Sequence, residues 1–118
     1  MALLGSHYED GIGVPVDLQQ SVQWYLRAAD HLNGRAMLRL GVMHEKGLGV
    51  DKNAIEALKW YMLAGAVLLR YPNARAQLME AVAGAQRMER LIPESRTGEA
   101  GQRISAWIES CESRIESN

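Results

Sequence analysis

The sequence predicts an all-α fold, a solenoid of stacked helix-turn-helix repeats. The main observation is internal repetition, because three separated blocks recur along the chain. Leu4-Gly5 recurs as Leu40-Gly41, Gly11-x-Gly13-Val14 as Gly47-x-Gly49-Val50, and Trp24-Tyr25-x-x-Ala28 as Trp60-Tyr61-x-x-Ala64. Every block returns 36 residues further along the chain. A constant period of roughly 30 to 40 residues is typical of helical repeat proteins. Each period is therefore expected to contain two helices.

The composition agrees with one folded domain and argues against several other classes of protein. Of 118 residues, 47% are apolar and 23% are charged, which is close to the usual values for globular domains. The net charge of −1 and the lack of a basic tract argue against nucleic acid as a partner. The apolar stretch Ala64 to Leu69 is far shorter than the roughly 20 residues of a transmembrane helix. We therefore expect a folded chain with no membrane span.

The first helix of the second repeat is predicted from apolar residues at three-and-four spacing. The residues on this face are Ala36, Leu38 or Leu40, Met43 and His44. Gly47 should end the helix near Lys46, because glycine readily adopts the left-handed conformation found after helix C-termini. Gly49 then lets the backbone reverse, and Val50 returns to the core.

Each second helix begins after a residue that is able to cap it. Asp17 and Asn53 occupy equivalent positions, and their side chains can accept hydrogen bonds from the first free N–H groups of the helix. The predicted buried stripes are Ser21, Val22, Tyr25, Ala28 and Ala29 in the first repeat, and Ala54, Ala57, Leu58, Tyr61, Met62 and Ala64, with Trp60 beside them, in the second. Small residues let two helices approach closely, while the large rings fill the space between repeats.

These blocks resemble a known family. The order Leu-Gly, Gly-x-Gly-Val, a capping Asp or Asn, and Ala-x-x-Trp-Tyr-x-x-Ala-Ala is similar to the Sel1-like repeat, a relative of the tetratricopeptide repeat, over roughly residues 1–75. The positions of the repeat signature are Leu4, Gly5, Gly11, Gly13, Trp24, Tyr25, Ala28, Leu40, Gly41, Gly47, Gly49, Trp60, Tyr61 and Ala64. The chain departs from the family pattern at Ser21, His44 and Gly65, and we expect looser packing around the last two.

The resemblance divides the chain into two repeats and a terminal unit. The first repeat spans 1–35 and lacks its opening alanine, the second spans 36–72, and 73–118 holds a degenerate third first-helix and a capping helix. The segment Asn73-Ala74-Arg75-Ala76 repeats Asn33-Gly34-Arg35-Ala36 at a spacing of 40. The larger spacing predicts that the preceding helix is longer by about one turn.

The terminal unit is predicted to form two further helices. The first carries an apolar face made of Leu78, Met79, Val82, Ala85, Met88 and Leu91. No Gly-x-Gly-Val loop follows, and Leu91-Ile92-Pro93-Glu94 instead opens a last helix that runs to Ile115, with Pro93 in its first turn. The polar residues of this helix are Glu94, Arg96, Glu99, Gln102, Arg103, Glu109 and Glu112. A polar outer face is typical of the cap that closes a solenoid.

Patterns for catalysis, metal binding and cofactor binding are weak. The Gly-x-Gly loops lack the third glycine of a dinucleotide-binding turn. Glu9-Asp10 lacks the alternating spacing of a calcium loop, and we interpret it as a solvated loop. The three histidines are isolated, and Cys111, the single cysteine, can form neither an internal disulfide nor a cysteine cluster for zinc. We therefore predict no enzyme activity, no cofactor and no metal.

The expected function is binding of a partner protein or peptide. In stacked helical repeats the first helix of each repeat lines the concave side, where a partner can lie. The candidate partner-binding residues are Ser6, Glu9, Asp10, Arg35, Leu38, Val42, Glu45 and Lys46. Because two repeats are few for a solenoid, the third hairpin or self-association must complete the core. We expect a cytoplasmic location, or a periplasmic one if the chain is part of an exported protein.

Two alternative functions remain open from the sequence. A small hydrolase would need a nucleophile, a base and an orienting group in one pocket. A glycan-binding module of the cell envelope would display Trp24, Trp60 and Tyr61 in a row on its surface, whereas a scaffold would bury them between repeats. The positions of these three rings therefore separate the two kinds of binding function.

Overall fold

Helices joined by short connections form the described part of the chain. The fold comes from a computed structural model that describes residues 9–11, 17–93, 96 and 98–117, with side chains at all of these except 100 and 111–117. The helices are α1 (Leu18–Asp30), α2 (Gly34–Lys46), α3 (Ala54–Leu68), α4 (Arg75–Leu91) and α5 (Gly98–Ser117). Glu9 and Asp10 are also helical, and a 3-10 turn, Pro72–Ala74, precedes α4. The predicted all-α class is confirmed.

Helix α3 is the centre of the packing. It packs against α2, α4 and α5, while α2 also contacts α1 and α4. Nine of the fifteen residues of α3 are buried, so protein surrounds most of its circumference. Successive helical hairpins therefore stack side by side, as predicted for a solenoid of repeats.

The capping residues named from the sequence set the helix ends. Asp17 accepts a hydrogen bond from the backbone N–H of the third residue of α1, and Asn53 accepts two from the first turn of α3. Helix α2 ends at Lys46, and Gly47 follows with a φ of 73°. Gly49 also has a positive φ, 74°, and a Cβ there would lie 2.6 Å from the carbonyl oxygen of Leu18. Only glycine therefore suits this close approach of the loop to the start of α1.

The predicted buried stripe of α1 is confirmed at all five positions, but in the stripe of α3 Ala54 is only half-buried and Met62 needs a correction. Met62 is exposed, whereas Trp60, which we placed beside the stripe, is buried. Trp60 is buried because α5 covers the side of α3 that carries it. The edge of the Trp107 ring of α5 meets the Trp60 ring at a centroid distance of 6.0 Å.

The apolar face predicted for α4 is wrong at three of its six positions. Its buried residues are Ala81, Gly84 and Met88, while Met79, Val82 and Leu91 are exposed and Leu78 and Ala85 are half-buried. Ala81 and Gly84 are among the buried residues of α4, and the Tyr61 ring of α3 fills the space next to Gly84. A Cβ at Gly84 would lie 2.5 Å from the Tyr61 ring. Close packing at this contact therefore favours Ala and Gly over the larger side chains of the apolar face that we predicted for α4.

The extra residues before α4 lengthen α3 by less than predicted. Helix α3 has fifteen residues against thirteen in α1, which is less than a full turn. Residues 69–74, which include the 3-10 turn, hold the remainder of the insertion. The proposed division into 1–35, 36–72 and 73–118 stays a prediction.

Helix α5 begins at Gly98, after the segment Leu91-Ile92-Pro93-Glu94 that we predicted to open it. Pro93 lies outside the helix, and its carbonyl oxygen accepts a hydrogen bond of 2.9 Å from the backbone N–H of Arg96, which forms a turn. The helix then docks on α3. Besides the Trp60 and Trp107 contact, Arg103 donates to Glu56 at 2.6 Å. Although burial favours the neutral form of Glu56, its hydrogen bonds to Lys59 and Arg103 keep its pKa below the usual value.

Candidate functional site

One glutamate links the first two repeats. Tyr25 of α1 donates a hydrogen bond of 2.9 Å to Glu9, and Arg39 of α2 binds both carboxylate oxygens of Glu9. Glu9 and Asp10 are both helical, and the Glu9 side chain is mostly buried whereas Asp10 is exposed, so the interpretation of this pair as a solvated loop is wrong for Glu9. Burial and the bond to Glu9 raise the pKa of Tyr25 to about 12, so its hydroxyl stays protonated and acts as a donor.

A second cluster has the same three residue types, with its Glu and Tyr 36 residues after those of the first. Tyr61 of α3 donates to Glu45 at 2.5 Å, and Arg87 of α4 makes two hydrogen bonds of 3.1 Å to the same carboxylate. Burial and the bond to Glu45 raise the pKa of Tyr61, while the bonds from Arg87 lower the pKa of Glu45. We call these two sets, Glu9–Tyr25–Arg39 and Glu45–Tyr61–Arg87, the inter-repeat clusters. Each joins the two helices of one repeat to the first helix of the next.

The residues predicted to bind a partner fall into different environments. Ser6 lies outside the described residues, and Leu38 is buried in the core, so it packs inside the protein and cannot line a groove. Glu9 and Glu45 belong to the inter-repeat clusters. The remaining positions present their side chains at least partly to solvent: Asp10, Arg35, Val42 and Lys46.

Trp24, Trp60 and Tyr61 do not form an exposed row. Trp60 and Tyr61 are only 2% and 1% exposed. Trp24 is half-buried, and the Arg27 guanidinium lies 4.8 Å from the centre of its ring. Tyr61 is held between two glycines, since a Cβ at either Gly41 or Gly84 would lie within 3 Å of the ring. The burial of Trp60 and Tyr61 is the arrangement expected of a scaffold.

His44 and Gly65, the two departures from the repeat pattern at which we expected looser packing, lie beside imperfect packing. The His44 Nδ1 atom is buried without a hydrogen-bond partner among the described residues, and burial lowers the His44 pKa. A Cβ at Gly65 would meet no atom within 4 Å. In the described part of the chain, no three His, Cys, Asp or Glu side chains come together as metal ligands would.

Sequence reasoning missed two adjacent cavities at the ends of the helices. One, of about 430 Å³, lies between the connection after α1 and the connection after α3. The other, of about 240 Å³, lies between α3 and α5. Leu32 and Tyr71 line both cavities. The sequence held one signal of this region: a leucine, Leu32, stands just after α1, at a position where a helix is usually followed by glycine.

Comparison with known proteins supports the resemblance seen in the sequence. The model of the Sel1 repeat matches residues 1–31 and 34–66, more than half of the chain. The chain belongs to the Sel1 repeat family. Among curated proteins no relative matches the sequence.

Two solved structures are similar to this Sel1 repeat chain. One is c5321, a protective antigen present in uropathogenic Escherichia coli strains that displays an SLR fold. It has 22% sequence identity and a TM-score of 0.76, and the match covers 98% of this chain and 24% of that protein. The other is a Sel1 repeat protein from Oxalobacter formigenes, with 26% identity, a TM-score of 0.54, and coverage of 90% and 47%. The chain thus spans a quarter to a half of the length of these proteins.

The Sel1 repeat is a helical repeat module of a kind that typically mediates protein–protein interaction, and the family is generally a non-catalytic scaffold. Within the described residues, no helix combines the length and the hydrophobicity needed to cross a bilayer.

Proposed function

We propose that the chain is a non-catalytic adaptor that binds a partner protein or peptide along its first helices. The proposal rests on a row of side chains on α2 that the inter-repeat clusters leave accessible. Arg35, Val42 and Lys46 follow one another at helical spacing, so they share one side of α2. First helices line the inner face of a helical solenoid, which is where such proteins bind their partners.

Helix α4 extends this surface. It packs beside α2, and the 40-residue spacing makes Arg75, Met79, Val82 and Gln86 the counterparts of Arg35, Arg39, Val42 and Lys46. Met79 and Val82 are 62% and 46% exposed, which is unusual for neighbouring large apolar residues on one helix. We call Arg35, Val42, Lys46, Arg75, Met79 and Val82 the first-helix face. The exposed apolar pair amid cations is the observation that carries the proposal, because interfaces combine an apolar centre with a polar rim.

The proposal can be tested by site-specific photo-crosslinking in source cells. A photoreactive amino acid replaces Val42 or Met79 on the first-helix face, and Gln23, which is exposed on α1, serves as the control position. We expect the same partner to be captured from Val42 and from Met79, and not from Gln23. Capture from all three positions alike, or from Gln23 alone, would contradict the proposed face.

Substitutions then measure the contribution of the face to affinity for the captured partner. We expect Met79→Ser with Lys46→Glu to weaken binding by about tenfold or more, because the pair removes an apolar contact and reverses a charge. Met62→Ser is the matched control, since Met62 is also an exposed methionine but lies on the second helix α3. Equal losses in the two variants would show that the partner binds elsewhere.

A further inference from the structure

Leu32 has an unusual conformation at the end of α1. Its N–H donates to the carbonyl of Ala29 at 2.9 Å and that of Asn33 donates to Ala28 at 3.2 Å, which is the hydrogen-bond pattern of a Schellman motif. The φ of Leu32 is 59°, and it is the single non-glycine residue with positive φ among the described residues. Glycine is the usual residue at this position because side chains are disfavoured there. A leucine at this position is therefore unfavourable for the folded chain alone.

Burial of the Leu32 side chain does not offset this unfavourable backbone conformation. Leu32 is 52% exposed, Tyr71 57% and Ile108 42%, and all three line the cavity between α3 and α5. We call the two adjacent cavities, which share Leu32 and Tyr71 and are also bounded by Val67, Trp107 and Ile108, the Leu32 cleft. The smaller cavity, of about 240 Å³, lies below the roughly 300 Å³ at which drug-sized ligand pockets begin, and it suits apolar side chains of a peptide.

The charge of the Leu32 cleft is one-sided. Arg70 lines one cavity and Arg35 lines the other, whereas no carboxylate of a described residue lines either of them. Neither Arg35 nor Arg70 makes an ion pair with another described residue. The N-terminus of α2 opens into the larger cavity and adds a partial positive charge. Asp30 and Glu109 are close in sequence to the lining residues Leu32 and Ile108, but they do not themselves line the cleft.

We infer that the Leu32 cleft binds a short acidic peptide segment of a partner protein, whose apolar side chains insert between α3 and α5. The carboxylates of the peptide would pair with Arg35 and Arg70, and Leu32 would contact its apolar side chain. The inference rests on the proposed adaptor function and extends it to a neighbouring surface at the helix ends, which shares Arg35 with the first-helix face but does not include Val42 or Met79.

A phage-displayed library of random short peptides, panned against the whole chain, tests this inference. We expect enrichment of peptides that combine Asp or Glu with Leu, Phe or Trp. A labelled peptide from the enriched set should bind Leu32→Gly and Arg70→Glu at least about tenfold more weakly than the original chain. No enrichment, or enrichment of basic or uncharged sequences, would overturn the inference.

Stability separates a binding role of Leu32 from a structural one. Leu32→Gly removes the side chain and suits the positive φ, so the melting temperature should stay equal or rise while peptide binding falls. Leu69→Ser and Arg90→Glu are matched controls, because both residues are exposed and neither lines the cleft. If the peptides bind Leu32→Gly and Arg70→Glu as tightly as the controls, the cleft is not their site. Crosslinking from Val42 and Met79 is unaffected by that result, so the two proposals fail separately.

Discussion

Helices α2 and α4 occupy corresponding places in successive hairpins, yet they are buried to different extents. Seven of the thirteen residues of α2 are buried, against three of the seventeen residues of α4. Helix α2 contacts α1, α3 and α4, whereas α4 packs mainly against α3 and more lightly against α2. The burial of a first helix thus depends on the repeats on both sides of it. Stability is expected to depend on α2, while α4 keeps large apolar side chains available for binding.

The largest effect is expected from a truncation in α2. Leu40 is fully buried, so Leu40→Ala should lower the free energy of unfolding by about 2 to 5 kcal/mol, the cost of lost contacts and of the remaining cavity. Leu91→Ala in α4 is the matched truncation at an exposed site and should change it by less than about 0.5 kcal/mol. Urea denaturation followed by circular dichroism measures both values. Similar losses in the two variants would remove the distinction between the helices.

A smaller effect on stability is expected at the Tyr61 ring, which Gly41 of α2 and Gly84 of α4 both approach closely. A Cβ at Gly84 of α4 would lie 2.5 Å from Tyr61, so Gly84→Ala should destabilise the fold by about 1 to 3 kcal/mol through overpacking. Gly65→Ala in α3 meets open space and should instead stabilise it by about 0.5 to 1 kcal/mol, because alanine has the better helix propensity.

Thermal melts of the two glycine variants, run side by side, test this contrast. A neutral or stabilising Gly84→Ala would mean that α4 can move away from Tyr61. In that case the contact between α4 and the Tyr61 ring would be less rigid than their close approach indicates.

The sequence predicted α1, α2 and α3 well because their signals are local. Asp17 and Asn53 cap the helices that follow them, and Gly47 ends α2, each through bonds to residues within one turn. The 36-residue period also carried the paired glutamates and tyrosines of the inter-repeat clusters. The clusters themselves were not predicted, since Arg39 and Arg87 are 48 residues apart and break the period, and the two glutamates were interpreted as partner-binding residues.

The errors arise where distant helices decide which side is covered. Met62 is exposed because α5 covers the other side of α3, and Met79 and Val82 of α4 are exposed because the side of α4 that meets Tyr61 carries Gly84 instead. Neither fact is visible in local spacing. The Leu32 cleft was missed for the same reason, since its walls come from the connections after α1 and α3 and from α5.

The smallest effect is expected at the cluster that joins α2 to α4. Hydrogen bonds from Arg87 lower the pKa of Glu45 below its usual value of 4.5, and the bond from Tyr61 adds to this. Because the folded-state pKa is the lower one, the carboxylate stabilises the fold fully above about pH 4.5 and loses this effect as the pH falls through the folded-state value.

Glu45→Gln should therefore lower stability at neutral pH by about 1 kcal/mol or less, since Arg87 is half exposed and water screens the pair. The difference between the variant and the original chain should shrink as the pH falls towards about 3. Glu99→Gln is the control, because the Glu99 and Arg96 pair is at the surface and joins no two helices of the core. Urea midpoints measured across this pH range give the comparison. If Glu45→Gln and the original chain lost stability in parallel from neutral to acid pH, the ion pair would contribute nothing to holding α4 against α2.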